Sequence, residues 1–231
     1  MNLSLLVVAK APVPGGVKTR LCPPCTPEQA ALVARAALED TLSTVDRCPA
    51  LRRVLVLSGE YPAPSGWEVQ AQRGEGFGER LAAAFTDAAL FHAHQPALLV
   101  GTDTPQLTPA LVEALVRGLD RADAVLGPAA DGGWWGLALR DPAHASVLRG
   151  VPMSTSESGR LTAAALRGLG LRVSDGPLLR DVDTAADARV VAAQCPAGSF
   201  AAAVRAHIPA DPAAVRILAG LRLTEGTARF A

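Results

Sequence analysis

Short apolar runs alternate with helix-patterned segments along nearly the whole chain, and this alternation restricts the fold more than any other feature. LSLLVVA (3–9), RRVLVLS (52–58), WEVQAQ (67–72), PALLVGTD (96–103), ADAVLGPA (122–129), GWWGLAL (133–139) and LRVSD (171–175) read as strands. The first is apolar almost throughout, as expected of a strand covered on both faces. Between them lie helices with their own start signals. Thr26 is placed as an N-cap, with Pro27 at the first helical position and Gln29 at N3, and Thr108-Pro109 opens a second helix in the same way. GERLAAAFTDAALFHAH, TAAALRGLG and TAADARVVAAQ complete the set. Strands joined by helices through short connections predict an α/β fold, a mainly parallel sheet with helices on both faces. Residues 1–195 are expected to form this single domain. Residues 196–231 hold helical pieces broken by proline and are expected to form a helical C-terminal extension.

Charge and length exclude several classes of function. Lys+Arg and Asp+Glu both number 22, so no global basic field draws in nucleic acid. The apolar runs fall far short of the roughly 20 residues of a membrane span, and the N-terminus lacks the basic region and cleavage site of a secretory signal. A cytoplasmic protein with no nucleic-acid and no membrane partner is the expectation. Cys22 and Cys25 form a C-x-x-C, but Cys48 and Cys195 stand alone and the four histidines show no ligand spacing. Free thiols are expected.

In an open parallel sheet, ligands collect beyond the carboxyl ends of the strands. That rule selects Lys18 and Arg20 after the first strand, Asp103 in GTDTP, Asp131 in GPAADGG, and Asp181 and Asp183 in RDVDTAAD. The PGG of AKAPVPGGVKTRL matters here, because glycines let backbone N–H groups approach an anion. A cationic loop facing several carboxylates suits transfer from a nucleotide, with a hard divalent ion on Asp oxygens and Lys and Arg on the remaining phosphate charge. Each residue also has an ordinary structural reading. Asp103 and Asp183 stand at helix starts, Asp131 is a turn residue, Trp134 and Trp135 suit a core anchor, and Arg80 suits a surface site covering apolar neighbours with its stem.

The motifs AKAPVPGGVKTRL, GFGERL, GTDTPQL, LGPAADGGWWGLAL, the Ser-Thr of VPMSTS and DVDTAAD resemble, in order and spacing, those of the bacterial rSAM/selenodomain-associated transferases, also described as glycosyltransferases of arsenosugar biosynthesis. The resemblance spans about residues 3–193. It implies a GT-A-like (Rossmann-like) fold of the nucleotide-diphospho-sugar transferase superfamily, with phospholactate and molybdenum-cofactor guanylyltransferases as distant relatives. It further implies nucleotide binding around Ala9, Pro14, Gly15, Gly16, Lys18, Arg20, Arg80, Gly101 and Asp103. Lys18, Arg20 and Asp103 would be catalytic, and Mg²⁺ or Mn²⁺ would sit on Asp103, Asp181 and Asp183. An acceptor side would form from Asp131, Gly132, Gly133, Trp134 and Thr155. The chain departs from the family pattern in CPPCTPEQ, in tryptophans where tyrosines are usual, and in the residue before Ser154 and Thr155.

These readings converge on a metal-dependent transferase with a nucleotide or nucleotide-sugar donor and a small-molecule acceptor. The resemblance favours glycosyl transfer. The two cations of the KTR segment suit the alternative, nucleotidyl transfer to a phosphorylated acceptor. A non-catalytic nucleotide-binding module is the third possibility.

Overall fold

The computed structural model describes residues 3–91 and 95–210. Seven strands, β1 (Ser4–Lys10), β2 (Arg52–Ser58), β3 (Glu68–Ala71), β4 (Ala97–Val100), β5 (Ala124–Pro128), β6 (Trp134–Leu139) and β7 (Val173–Asp175), form one sheet in the order β3-β2-β1-β4-β6-β5-β7. All run parallel except β6, which pairs antiparallel with both β4 and β5. Six α-helices accompany them: α1 (Pro27–Asp46), α2 (Phe77–Phe91), α3 (Pro109–Gly118), α4 (Ser158–Gly168), α5 (Ala185–Gln194) and α6 (Ser199–His207). The expected mainly parallel sheet with helices on both sides is therefore present as a single domain, with one reversed strand inserted.

The two faces have separate cores. Leu38, Leu42 and Val45 of α1 and Val112, Leu115 and Val116 of α3 cover Leu5, Val7, Leu55 and Leu98 on one side. On the other, Leu81 and Phe85 of α2 and Leu166 of α4 cover Leu6, Val54, Val56 and Leu99. Central strands buried on both faces explain why their sequences are almost uniformly apolar. The start of α1 forms as its sequence predicts: the Thr26 hydroxyl accepts from Gln29 N, and the Gln29 side chain accepts in return from Thr26 N.

The outer face of α1 carries a third cluster, in which Ala30, Val33 and Ala37 meet Val191 of α5 and Phe200 and Val204 of α6. Asp40 of α1 caps α6, accepting from Ser199 N at 3.0 Å and Phe200 N at 2.8 Å. Helix α6, within the segment expected to be an extension, is thus docked on α1, while 211–231 of that segment lie outside the described residues.

Because six of the seven strands point the same way, their carboxyl ends share one edge. The 11–18 loop, the 72–76 turn, the 101–104 turn and the β5–β6 hairpin all open there. Residues 177–183 run across that edge, held by Leu179 N donating to Pro128 O at 3.1 Å, Ala130 N to Leu179 O at 2.8 Å and Val182 N to Asp103 O at 2.8 Å. Segments far apart in sequence are brought to one place by backbone pairing. Among the described residues no helix is long and apolar enough to cross a membrane.

Candidate active site

The loop after β1 reaches its functional end through unusual backbone. Gly15 has φ +74°, and Lys18, a residue with a side chain, has φ 47° and ψ 37° in the left-handed region. Such a conformation costs about 1 kcal/mol or more and persists where surrounding contacts fix it. Here they do. The Lys18 ammonium donates to Asp103 Oδ1 and to the Val182 carbonyl oxygen, and its carbonyl accepts from Leu21 N at 2.9 Å at the start of a 3-10 turn, Thr19–Leu21. Two residues on, Arg20 Nη1 donates to Asp183 Oδ2 at 3.0 Å. Lys18 is therefore docked on an aspartate in the turn after β4, and Arg20 on one just ahead of α5. The Lys18 side chain is only 10% exposed, whereas Arg20 is 75% exposed and its pair correspondingly weak.

Asp181 differs from its neighbours. Its Oδ1 is buried and has no hydrogen-bond partner. Burial pushes its carboxyl up to about 7, with the charges of Asp131 and Asp103 acting in the same direction and Lys18 opposing them. A carboxylate placed among carboxylates, with an oxygen unsatisfied, is chemically suited to receive a cation or a hydrogen-bond donor. Among the described residues, however, no three acidic, imidazole or thiol groups converge as an ion-binding set. Asp103 and Asp183 face Lys18 and Arg20 instead.

These groups line one continuous cleft with two lobes. The first, of about 460 Å³, is bordered by Ala9, Gly16, Lys18, Arg20, Arg80, Gly101 and Asp103. The second, of about 540 Å³, is bordered by Asp131, Gly133, Trp134, Thr155 and Asp181, and shares Arg20, Gly101, Asp103 and Asp183 with the first. Three residues expected at the site do not line either lobe. Pro14 and Gly15 lie exposed on the outside of their loop. Gly132, at φ +90°, serves the hairpin instead: a Cβ there would come within 2.0 Å of the Ser156 carbonyl oxygen, so its role is close passage of two backbones.

Several lining residues were given no role in the site by the sequence. Phe77, 44% exposed, borders both lobes, and Ser154 does so from a left-handed backbone with φ 61°. Gln72 Nε2 donates to Ala9 O at 2.7 Å and Val56 O at 3.1 Å, bracing the floor of the first lobe. Thr104 is 1% exposed, and its hydroxyl has no partner although it borders the second lobe. The available hint was that Phe77, Thr104 and Ser154 fall within the motifs GFGERL, GTDTPQL and VPMSTS.

The cysteines take no part in this cleft. All four are free thiols. Cys25 is buried beneath the His207 carbonyl, and burial raises its thiol above the ordinary range, the opposite of a reactive thiolate.

A family model described as "uncharacterized protein conserved in bacteria (DUF2064)" matches residues 32–155, more than half of the chain. The chain belongs to this family. The matched stretch contains Arg80, Asp103, the β5–β6 hairpin and Thr155, and leaves the Lys18 loop and the Asp181–Asp183 segment outside it. No curated protein matches the chain. Among solved structures, a proposed nucleotide-diphospho-sugar transferase from Desulfovibrio desulfuricans G20 superposes with a TM-score of 0.79 at 26% identity, covering 89% of this chain and 95% of that one. The bifunctional IspDF of Campylobacter jejuni gives a TM-score of 0.53 at 13% identity, covering 81% of this chain and 53% of that one. CMP:2-keto-3-deoxy-manno-octonic acid synthetase complexed with CTP gives 0.50 at 13% identity, covering 85% and 99%. The last two likenesses concern the fold alone, and the first adds a similarity of sequence at 26% identity.

Arg80, in the first turn of α2, donates from Nε to Gly74 O and from Nη2 to Glu75 O, each at 3.2 Å. It therefore fastens the turn before its own helix as well as facing the first lobe. Arg80→Ala is expected to cost no more than about 1 kcal/mol of stability, the worth of two exposed hydrogen bonds, yet to speed proteolysis within residues 73–78. Limited proteolysis alongside thermal melting checks this. An unchanged cleavage rate would show that the turn is held by other contacts.

Proposed function

We propose that the protein is a metal-dependent transferase that takes a group from a nucleotide-activated donor, with glycosyl transfer the leading reading. The observation that carries it is the docking of Lys18 and Arg20 onto Asp103 and Asp183 beside a two-lobed cleft. An ion pair across a ligand cleft stores two complementary sites at once. When phosphates enter the first lobe, Lys18 and Arg20 can exchange carboxylate for phosphate oxygen, a partner that matches the Arg fork in particular. Asp103 and Asp183 are then freed beside Asp181. Brought together in this way, the carboxylate oxygens would suit a hard divalent cation, Mg²⁺ or Mn²⁺, and the unsatisfied Asp181 Oδ1 is the feature that supports that reading. When bound, such an ion neutralises charge on the departing phosphates. The protein's own residues hold the donor: Lys18 and Arg20 at its phosphates, Arg80 at the rim, and backbone of Gly16 and Gly101 close to the ligand.

The likeness to a proposed nucleotide-diphospho-sugar transferase supports a nucleotide donor, and the resemblance to arsenosugar-type transferases favours a sugar as the transferred group. Two cations on one loop favour the second reading, nucleotidyl transfer, because a triphosphate would occupy both. Incubation with a panel of nucleoside triphosphates and nucleoside-diphosphate sugars plus Mn²⁺ tests both at once. Released nucleoside diphosphate supports glycosyl transfer, released pyrophosphate supports nucleotidyl transfer, and binding without release would leave a binding module.

Lys18→Ala and Arg20→Ala supply a finer check. Each is expected to weaken nucleotide binding by about 1.5–3 kcal/mol, the worth of a charge-assisted hydrogen bond, with the greater loss at the more buried Lys18. The loss should grow from nucleoside to mono- to diphosphate. Equal losses for nucleoside and nucleotide would mean that the loop holds the base or the fold.

A further inference from the structure

The two lobes of the cleft differ sharply in charge. Lys10, Lys18, Arg20 and Arg80 border the first. Among the described residues Arg20 is the sole cation bordering the second, where it is paired with Asp183, and Asp103, Asp131 and Asp181 border that lobe too. We propose that the second lobe binds an uncharged, hydroxyl-bearing acceptor with an apolar portion, a sugar- or polyol-like alcohol, and rejects a phosphorylated one. This rests on the transfer reading above and specifies its acceptor.

Three properties of the lobe support that class. With Lys18 and Arg20 on the donor phosphates and the ion on Asp103, Asp181 and Asp183, Asp131 is the uncommitted charge of this lobe, so a phosphate monoester there would meet a carboxylate and no free side-chain cation. An alcohol meets no such penalty. Secondly, Thr104 borders this lobe and its hydroxyl lacks a partner, with Asp131 bordering the same lobe. A substrate hydroxyl can accept from the threonine and still donate to a carboxylate such as Asp131, whereas a phosphate dianion has no proton to donate. Thirdly, the wall opposite is apolar. Trp134 has its indole N–H committed to Thr162 Oγ1 at 3.2 Å, and Leu81 and Met153 lie beside it, offering carbon surface to a ring or chain. A volume of about 540 Å³ leaves room for more than one ring.

The probes are phenyl β-glucoside and its 6-phosphate, examined by saturation-transfer NMR on the full chain with UDP or GDP and Mg²⁺, while nucleotide binding is followed separately by calorimetry. The glucoside is expected to bind at least ten-fold more tightly than the 6-phosphate. Thr104→Val, which keeps the side chain's shape, should weaken the glucoside about ten-fold without altering nucleotide affinity. Asp131→Lys, on the exposed hairpin turn, should narrow the preference by admitting the phosphate. Equal or tighter binding of the 6-phosphate, silence of the glucoside, or indifference to Thr104→Val overturns the assignment. Glucoside binding in the absence of any nucleotide binding would support the lobe's assignment while removing the transfer reading.

Discussion

Asp103→Asn is expected to abolish metal-dependent nucleotide binding and to lower turnover by at least 10²–10³-fold, the scale of losing one preorganised electrostatic group, while the fold survives. Asp103 lies in the turn after β4, its side chain 55% exposed, and contributes to no core cluster. Its backbone carbonyl, which accepts from Val182 N, is untouched by the substitution. What changes is the charge: the Lys18 ammonium keeps the Val182 carbonyl but loses its carboxylate, and the proposed ion loses a ligand. Melting should fall by a few degrees at most, and calorimetric titration of nucleotide should become insensitive to EDTA. Were the wild-type protein already to bind nucleotide equally with and without EDTA, Asp103 would have no metal role to lose.

How much of this site could be read from sequence follows from where each kind of information resides. Lys18 and Asp103 were legible as cleft residues because strand ends are legible: an apolar run that stops at a polar turn fixes where the sheet's edge lies, whereas Asp181, six residues beyond β7, was picked out only as part of the segment ahead of the last helix. The capping box at Thr26 was legible because all its atoms lie within four residues. Thr104 was not, since its missing partner is a property of the packed cleft, and a threonine in GTDTP is otherwise an ordinary turn residue. Gly132 was assigned to the site from its motif, but its conformation answers to Ser156, a segment 24 residues on by the numbering, whose approach no local pattern announces. The reversal of β6 was only half announced. The Asp131-Gly132-Gly133 turn predicts a return strand, yet its insertion between β4 and β5 is a tertiary choice. The helix α4 begins at Ser158, ahead of the alanine-rich stretch that suggested it, because its first turn packs against the hairpin, with Gly159 N donating to Gly132 O at 2.9 Å.

Asp181→Asn should make the ligand-free protein more stable and nearly inactive. The folded carboxyl titrates near 7, against an ordinary value of 3.8, and burial is the leading cause, followed by Asp131 and Asp103. Between these two values the folded state holds a proton that the unfolded state has released, so stability is fully present below about pH 4 and falls as pH rises through about 7. Above that the wild-type protein folds with a buried charge among like charges, a cost on the order of a few kcal/mol. Asparagine keeps the shape and removes the charge, so a gain of about 1–3 kcal/mol at pH 8 is expected, with little gain at pH 4. Thermal melts of both proteins from pH 4 to pH 8 read this directly. Added Mn²⁺ should raise the wild-type melting temperature at pH 8 and leave the variant's unchanged, because the ion relieves the same repulsion that the substitution removes. A variant that melts earlier than wild type at pH 8 would mean that Asp181 is a structural residue whose charge is satisfied in solution, and the candidate ion site would reduce to the exposed aspartates of the loop pairs.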